Sequence, residues 1–183
     1  MSDDMRDYYR FYGIYTDDWQ TIWGGQTYNH HLVKNMISDY CNSTASTTWT
    51  TNGVSFIFPH NIKQNYFLEG VVEGEITFGN SVASKVSDFI VSIFKHNSNC
   101  SITILATTGT KWVQDSIPAK DAMSYHFWMD VFDSPKEITE YDRLGVKIEW
   151  NISGTISGTS AKLQHAVVTS DYDFWIDIPL MLS

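Results

Sequence analysis

The feature that most restricts the fold of this chain is a change of period. Across Leu144–Trp150, the residues Leu144, Val146, Ile148 and Trp150 fall on one side, and Gly145, Lys147 and Glu149 on the other. Successive side chains leave a pleated backbone on opposite faces, so this alternation predicts a half-buried strand with one face in a core. Tyr125, Phe127, Met129 and Val131 alternate with His126, Trp128 and Asp130 in the same way. Phe174, Ile176, Ile178 and Leu180 alternate with Trp175, Asp177 and Pro179. The run from Asp88 to Phe94 is apolar on both sides, as expected of a central strand covered on both faces.

Further strands are expected near residues 54–58, 71–78, 101–106 and 161–169, separated by turn residues such as Glu69-Gly70, Thr108-Gly109 and Ser134-Pro135. About eight short strands without long helices between them predict an all-β fold, an antiparallel, jelly-roll-like β-sandwich, and not a parallel α/β sheet. Pro179 lacks an amide hydrogen and is expected on an edge strand or at a strand end.

The period holds from residue 54 onward and is missing before it. Residues 1–52 carry ten aromatic residues but no long alternating run. They read as an irregular, aromatic-rich N-terminal arm, with residues 53–183 as the sandwich domain. Leu32, Met36, Ile37 and Tyr40 suggest one short helix over residues 29–39, and the Ser/Thr tract 42–53 an extended loop or edge strand. The aromatics of the arm are Tyr8, Tyr9, Phe11, Tyr12, Tyr15, Trp19 and Trp23. A single core does not easily take them all, and exposed aromatics in quantity mark an interface. The favoured reading is an arm that packs on a neighbouring subunit, ahead of wrapping over its own sheet and of a sugar-stacking site. Removing residues 1–25 should then leave a folded sandwich that no longer assembles.

Charge excludes more than it suggests. Against 21 acidic residues stand 12 Lys and Arg, a formal net charge of −9, and the basic residues are scattered singly. Binding to nucleic acid needs clustered cations to neutralise phosphates, so none is expected. Neither is a membrane span, because the apolar runs are strand-sized. The acidic N-terminal segment has no apolar core of a signal peptide, which predicts folding in a reducing cytosol with Cys41 and Cys100 as free thiols.

No motif specifies a reaction. His30 and His31, near Asp39 and Cys41, would diverge on a strand or a helix and so do not make a metal site. His60, His96, His126 and His165 are isolated. The carboxylate pairs Asp3/Asp4, Asp17/Asp18 and Asp171/Asp173 sit in polar, turn-like segments and read as solvated. Gly24-Gly25 matches no phosphate loop, and no nucleophile elbow occurs. The chain is expected to be no enzyme and to need no cofactor or metal.

Lys136–Ile148, in which a polar turn ending in Asp142-Arg143-Leu144 leads into an alternating strand, resembles a phrase of jelly-roll-like virion proteins of tailed phages and related viruses. The later strand ending Asp177-Ile178-Pro179-Leu180 and the upstream order of Gly74–Phe78, Phe89–Phe94 and Ser101–Ala106 are similar too. The resemblance spans residues 70–182. It implies a non-enzymatic structural role in the virion as head decoration, neck or tail component, with copies of itself and other virion proteins as partners. It transfers no catalytic residue. The alternative is a carbohydrate-binding β-sandwich used in host attachment.

Overall fold

In the computed structural model the described residues are 7–21, 27–33, 48–51, 53–58, 64–79, 84–97, 101–117, 122–132, 135–152, 162–165 and 174–182. Every element among them is a strand: β1 Asp7–Thr21, β2 Thr27–Val33, β3 Thr48–Thr51, β4 Gly53–Ile57, β5 Tyr66–Leu68, β6 Val71–Gly79, β7 Ser84–His96, β8 Ile102–Thr107, β9 Lys111–Ile117, β10 Ala122–Asp130, β11 Lys136–Ile138, β12 Arg143–Ile152, β13 Lys162–His165 and β14 Trp175–Leu182. No helix among the described residues is long and apolar enough to cross a membrane.

The strands form two layers. One runs β10-β6-β14-β1-β2, and the other β4-β12-β7, with β8 and β9 both on the far side of β7. All these pairs are antiparallel. The layers are joined where β2 meets β4 in a parallel bridge, His31 opposite Ile57. Short pieces extend the first layer. β13 takes the end of β6 and carries β3, while β5 and β11 cover the end of β14.

The predicted inward faces make the core. Leu144, Val146, Ile148 and Trp150 are buried, as are Phe127 and Met129 of β10 and Phe174, Ile176, Ile178 and Leu180 in and before β14. Layer meets layer through aromatic contacts. Phe78 packs on Phe89 and Trp150, and Phe56 on Phe174. The two-sided run Asp88–Phe94 lies within β7, between β12 on one edge and β8 and β9 on the other.

Several expectations are corrected. Residues 7–21 are not an irregular arm: they form β1, hydrogen-bonded between β14 and β2. Phe11 is buried and packs edge-to-face on Phe58. A Cβ at Gly13 would lie 2.5 Å from the Phe174 ring and 2.6 Å from Phe56, so β1 approaches the core too closely for a side chain there. Residues 27–33 are strand β2, not the start of a helix; residues 34–39 lie outside the described residues. Helical spacing over so few residues was overridden by the ladder to β1.

Fourteen strands are described where periodicity picks out fewer. The additions include β5 and β11, three residues each and too short to show a period.

Pro179 sits in a central strand. The β14 edge facing away from β1 is shared, β6 taking Trp175–Asp177 and β5 taking Leu180–Leu182. Pro179 points into the gap between them, where its carbonyl accepts a bond from the Glu69 amide at 3.4 Å. The missing N–H is therefore lost at a place where no ladder bond is made.

Candidate functional site

Because β6, β14 and β1 are central strands and β10 lies beside β6, their outward residues form a registered grid on the face of the first layer. Trp128 lies opposite Glu73, Glu73 opposite Asp177, and Asp177 opposite Arg10. The adjacent row is His126, Glu75, Trp175 and Tyr12. The inward partners of the same strands, Phe127, Ile76, Ile176 and Phe11, are all buried, so the core holds the grid in place.

The grid is organised by aromatic and ionic contacts. The Trp128 and His126 rings are 6.1 Å apart, and those of His126 and Trp175 6.4 Å. Arg10 lies over the Trp175 ring at 4.2 Å. Its Nε and Nη2 donate to the two Asp177 carboxylate oxygens at 2.7 and 2.8 Å, a bidentate pair. The hydrogen bond to Asp177 holds the guanidinium above its usual pKa, although burial opposes this. His126 Nε2 is 3.4 Å from Glu73 Oε2. At the seam between layers, Lys111 of β9 stands 5.3 Å from the centroid of Trp128. Trp128 remains 57% exposed.

The residues singled out in the sequence are distributed differently. Phe11 belongs to the core. Tyr9 is half-buried, packs on the core and meets Tyr66 edge-on, whereas Tyr12 is half-buried on the outward grid. Tyr8, Tyr15 and Trp19 lie in β1, but their side chains are outside the described ones, and Trp23 is outside the described residues altogether. His31 is buried at the β2–β4 bridge, and His96 is buried at the end of β7. Cys41, Cys100, Asp39, His60, Asp3, Asp4, Asp171, Asp173, Gly24 and Gly25 lie outside the described residues, as do the side chains of His30, Asp17, Asp18 and His165. Among the described residues no group of three or more His, Cys, Asp or Glu is placed to hold a metal ion.

The sequence reading overlooked Trp128, His126 and Trp175 as a group. Their signal was present: each occupies the side of an alternating strand opposite the core. Their union across β10, β6 and β14 depends on strand order, which alternation does not encode.

No protein-family model matches the chain, and no curated protein is similar to it by sequence. Among solved structures, a CocE/NonD family hydrolase from Staphylococcus aureus superposes at a TM-score of 0.64 and 12% identity, covering 97% of this chain and 37% of the hydrolase chain. An aminopeptidase from the marine sediment archaeon Thaumarchaeota archaeon matches at 0.52 and 12% identity, over 76% of this chain and 27% of its own. A T13 viral particle of IBDV gives 0.35 and 11% identity, over 98% of this chain and 32% of that one, too loose to carry an argument. The chain thus spans little more than a third of the hydrolase's length. At these identities the likeness shows a shared all-β fold.

Proposed function

We propose that the chain is a non-enzymatic virion structural protein, a head-decoration, neck or tail component that works through contacts with copies of itself and with other virion proteins. The observation that carries this reading is a long sheet edge. β8 and β9 lie end to end along β7, Thr107 opposite Ser92 and Lys111 opposite Phe89. Between these pairs Thr108 stays in register, its amide donating to the Val91 carbonyl at 2.9 Å. Gly109 then takes a positive φ of 64°, which absorbs the extra residue as a bulge. Among the described residues the outer edge of β8 and β9 has no strand partner.

Unpaired edges invite strand addition, and single-chain proteins blunt them with lysines, prolines or bulges. The bulge protects the middle of this edge. A second register shift falls at Leu105, between Ala106 opposite Ile93 and Ile104 opposite Phe94; beyond it Ile102–Ile104 holds no lysine or proline, and its two isoleucines are 46% and 52% exposed. An edge of this kind suits antiparallel addition of a second copy, which would continue the sheet from subunit to subunit. The resemblance of Lys136–Ile148 to virion proteins supports the same reading, as does an acidic sequence whose Lys and Arg are scattered singly, which fits protein contacts better than a nucleic-acid role.

Light scattering over a range of concentrations tests the edge. The wild-type protein should form multimers, and Ile104→Lys should shift it to monomer without lowering its melting temperature, because residue 104 is exposed. A wild-type monomer at every concentration, or an Ile104→Lys protein that assembles normally, would overturn the self-association. Mass spectrometry of purified particles checks the virion assignment, which fails if the chain is absent from them.

A further inference from the structure

We propose that the outward grid of β10, β6, β14 and β1 binds a neutral oligosaccharide. The inference is independent of the assembly reading, since it uses a sheet face and not the β8–β9 edge.

A sugar ring presents an apolar face of C–H groups surrounded by hydroxyls. It is recognised by an aromatic face placed next to carboxylates and other planar hydrogen-bonding groups. The grid offers both within two adjacent rows. Trp128 and Trp175 stand on either side of His126, and Glu73 and Glu75 lie between them on β6. Trp128 exposes more than half of its surface although its strand neighbours Phe127 and Met129 are buried. A large aromatic left in water on an ordered face is a marker of a binding surface.

The charges choose the class of sugar. Three carboxylates, Glu73, Glu75 and Asp177, face Arg10, whose guanidinium is already committed to Asp177 through both oxygens. Lys111 supplies one cation at the margin, over Trp128. Sulfated and uronic-acid sugars would meet excess negative charge, whereas neutral hydroxyls would find acceptors in the carboxylates. The face is also ordered before binding. Arg10 is held by Asp177 and stacked on Trp175, and three of the supporting strands, β6, β14 and β1, are flanked on both sides, so little side-chain freedom is lost when a ligand settles.

An array of neutral and sulfated oligosaccharides, followed by tryptophan-fluorescence titration with the strongest neutral binder, tests the proposal. Neutral compounds should be retained and sulfated ones not. Trp128→Ala should weaken binding by about tenfold or more. Trp112→Ala removes a similarly exposed tryptophan from β9, outside the grid, and should leave affinity unchanged. Light scattering of Trp128→Ala should match the wild type. Absence of any neutral binder, or equal binding by Trp128→Ala, overturns the proposal. So does dissociation of the assembly by Trp128→Ala, since a second copy would then be what covers the face. An intact Ile104→Lys response with no sugar bound would sink this inference alone.

Discussion

His96, at the end of β7, has no exposed surface. Burial pushes its pKa below the usual 6.5. A backbone hydrogen bond at Asn97 opposes the shift, and the positive charge of Arg143 adds to it. The imidazole is therefore neutral in the folded protein at a pH where the unfolded chain already takes up a proton. Below about pH 6.5 the unfolded state binds more protons, so stability falls on acidification, whereas above that value this contribution is constant. The melting temperature should drop between about pH 7.5 and about pH 5.5, and His96→Gln should show a shallower drop. Parallel profiles for the two proteins would refute the role of His96. Alternation puts His126 on the outward side of its strand, but His96, which follows the two-sided run Asp88–Phe94, carries no such sign. Burial is conferred by strand order, not by neighbours in sequence. Asp142 is a second case. Its Oδ2 accepts from the Thr139 amide at 2.9 Å and hydroxyl at 3.0 Å, and lies 3.4 Å from Lys95. The turn bond spans three residues and was within reach of a local reading; the ion pair to β7 was not.

Strand β12 was the most legible element. Its inward residues sit between β4 and β7, and Leu144, Val146 and Ile148 have no exposed surface. Ile148→Asp would bury a carboxylate without a partner, a cost of several kcal/mol against a typical total stability of about 5–15 kcal/mol. Lys147 is partly exposed and lies 3.2 Å from Glu149, so Lys147→Asp replaces a weak surface attraction with a weak repulsion. Expression and circular dichroism should find Ile148→Asp insoluble or unfolded and Lys147→Asp folded, with a loss on the order of 1 kcal/mol or less. Similar behaviour of the two variants would remove the assignment of faces. β1 was illegible by the same criterion. In Tyr8-Tyr9-Arg10-Phe11-Tyr12 aromatics occupy both faces, so alternation is hidden, although Phe11 points inward and Arg10 and Tyr12 outward.

At the scale of the molecule, β1 lies between β14 and β2, and β2 carries the bridge to the second layer. Removing residues 1–25 therefore takes a central strand, empties the site of Phe11 and strands β2 from its layer. The expected product has no cooperative unfolding transition in denaturant, in contrast to the detachable arm read from the sequence. A truncated protein that unfolds cooperatively with near wild-type stability would restore the arm.

Local alternation was enough to establish an all-β, antiparallel chain and to sort inward from outward side chains in β10, β12 and β14, because the two-residue repeat is a property of the backbone itself. It also held, without revealing it, each member of the outward grid. Which strands become neighbours is settled by contacts far apart in the chain. Only the folded layers could bring Arg10 beside Asp177, carry the N-terminal strand into the core, set β8 and β9 end to end along β7 and put Trp128 in one row with Glu73.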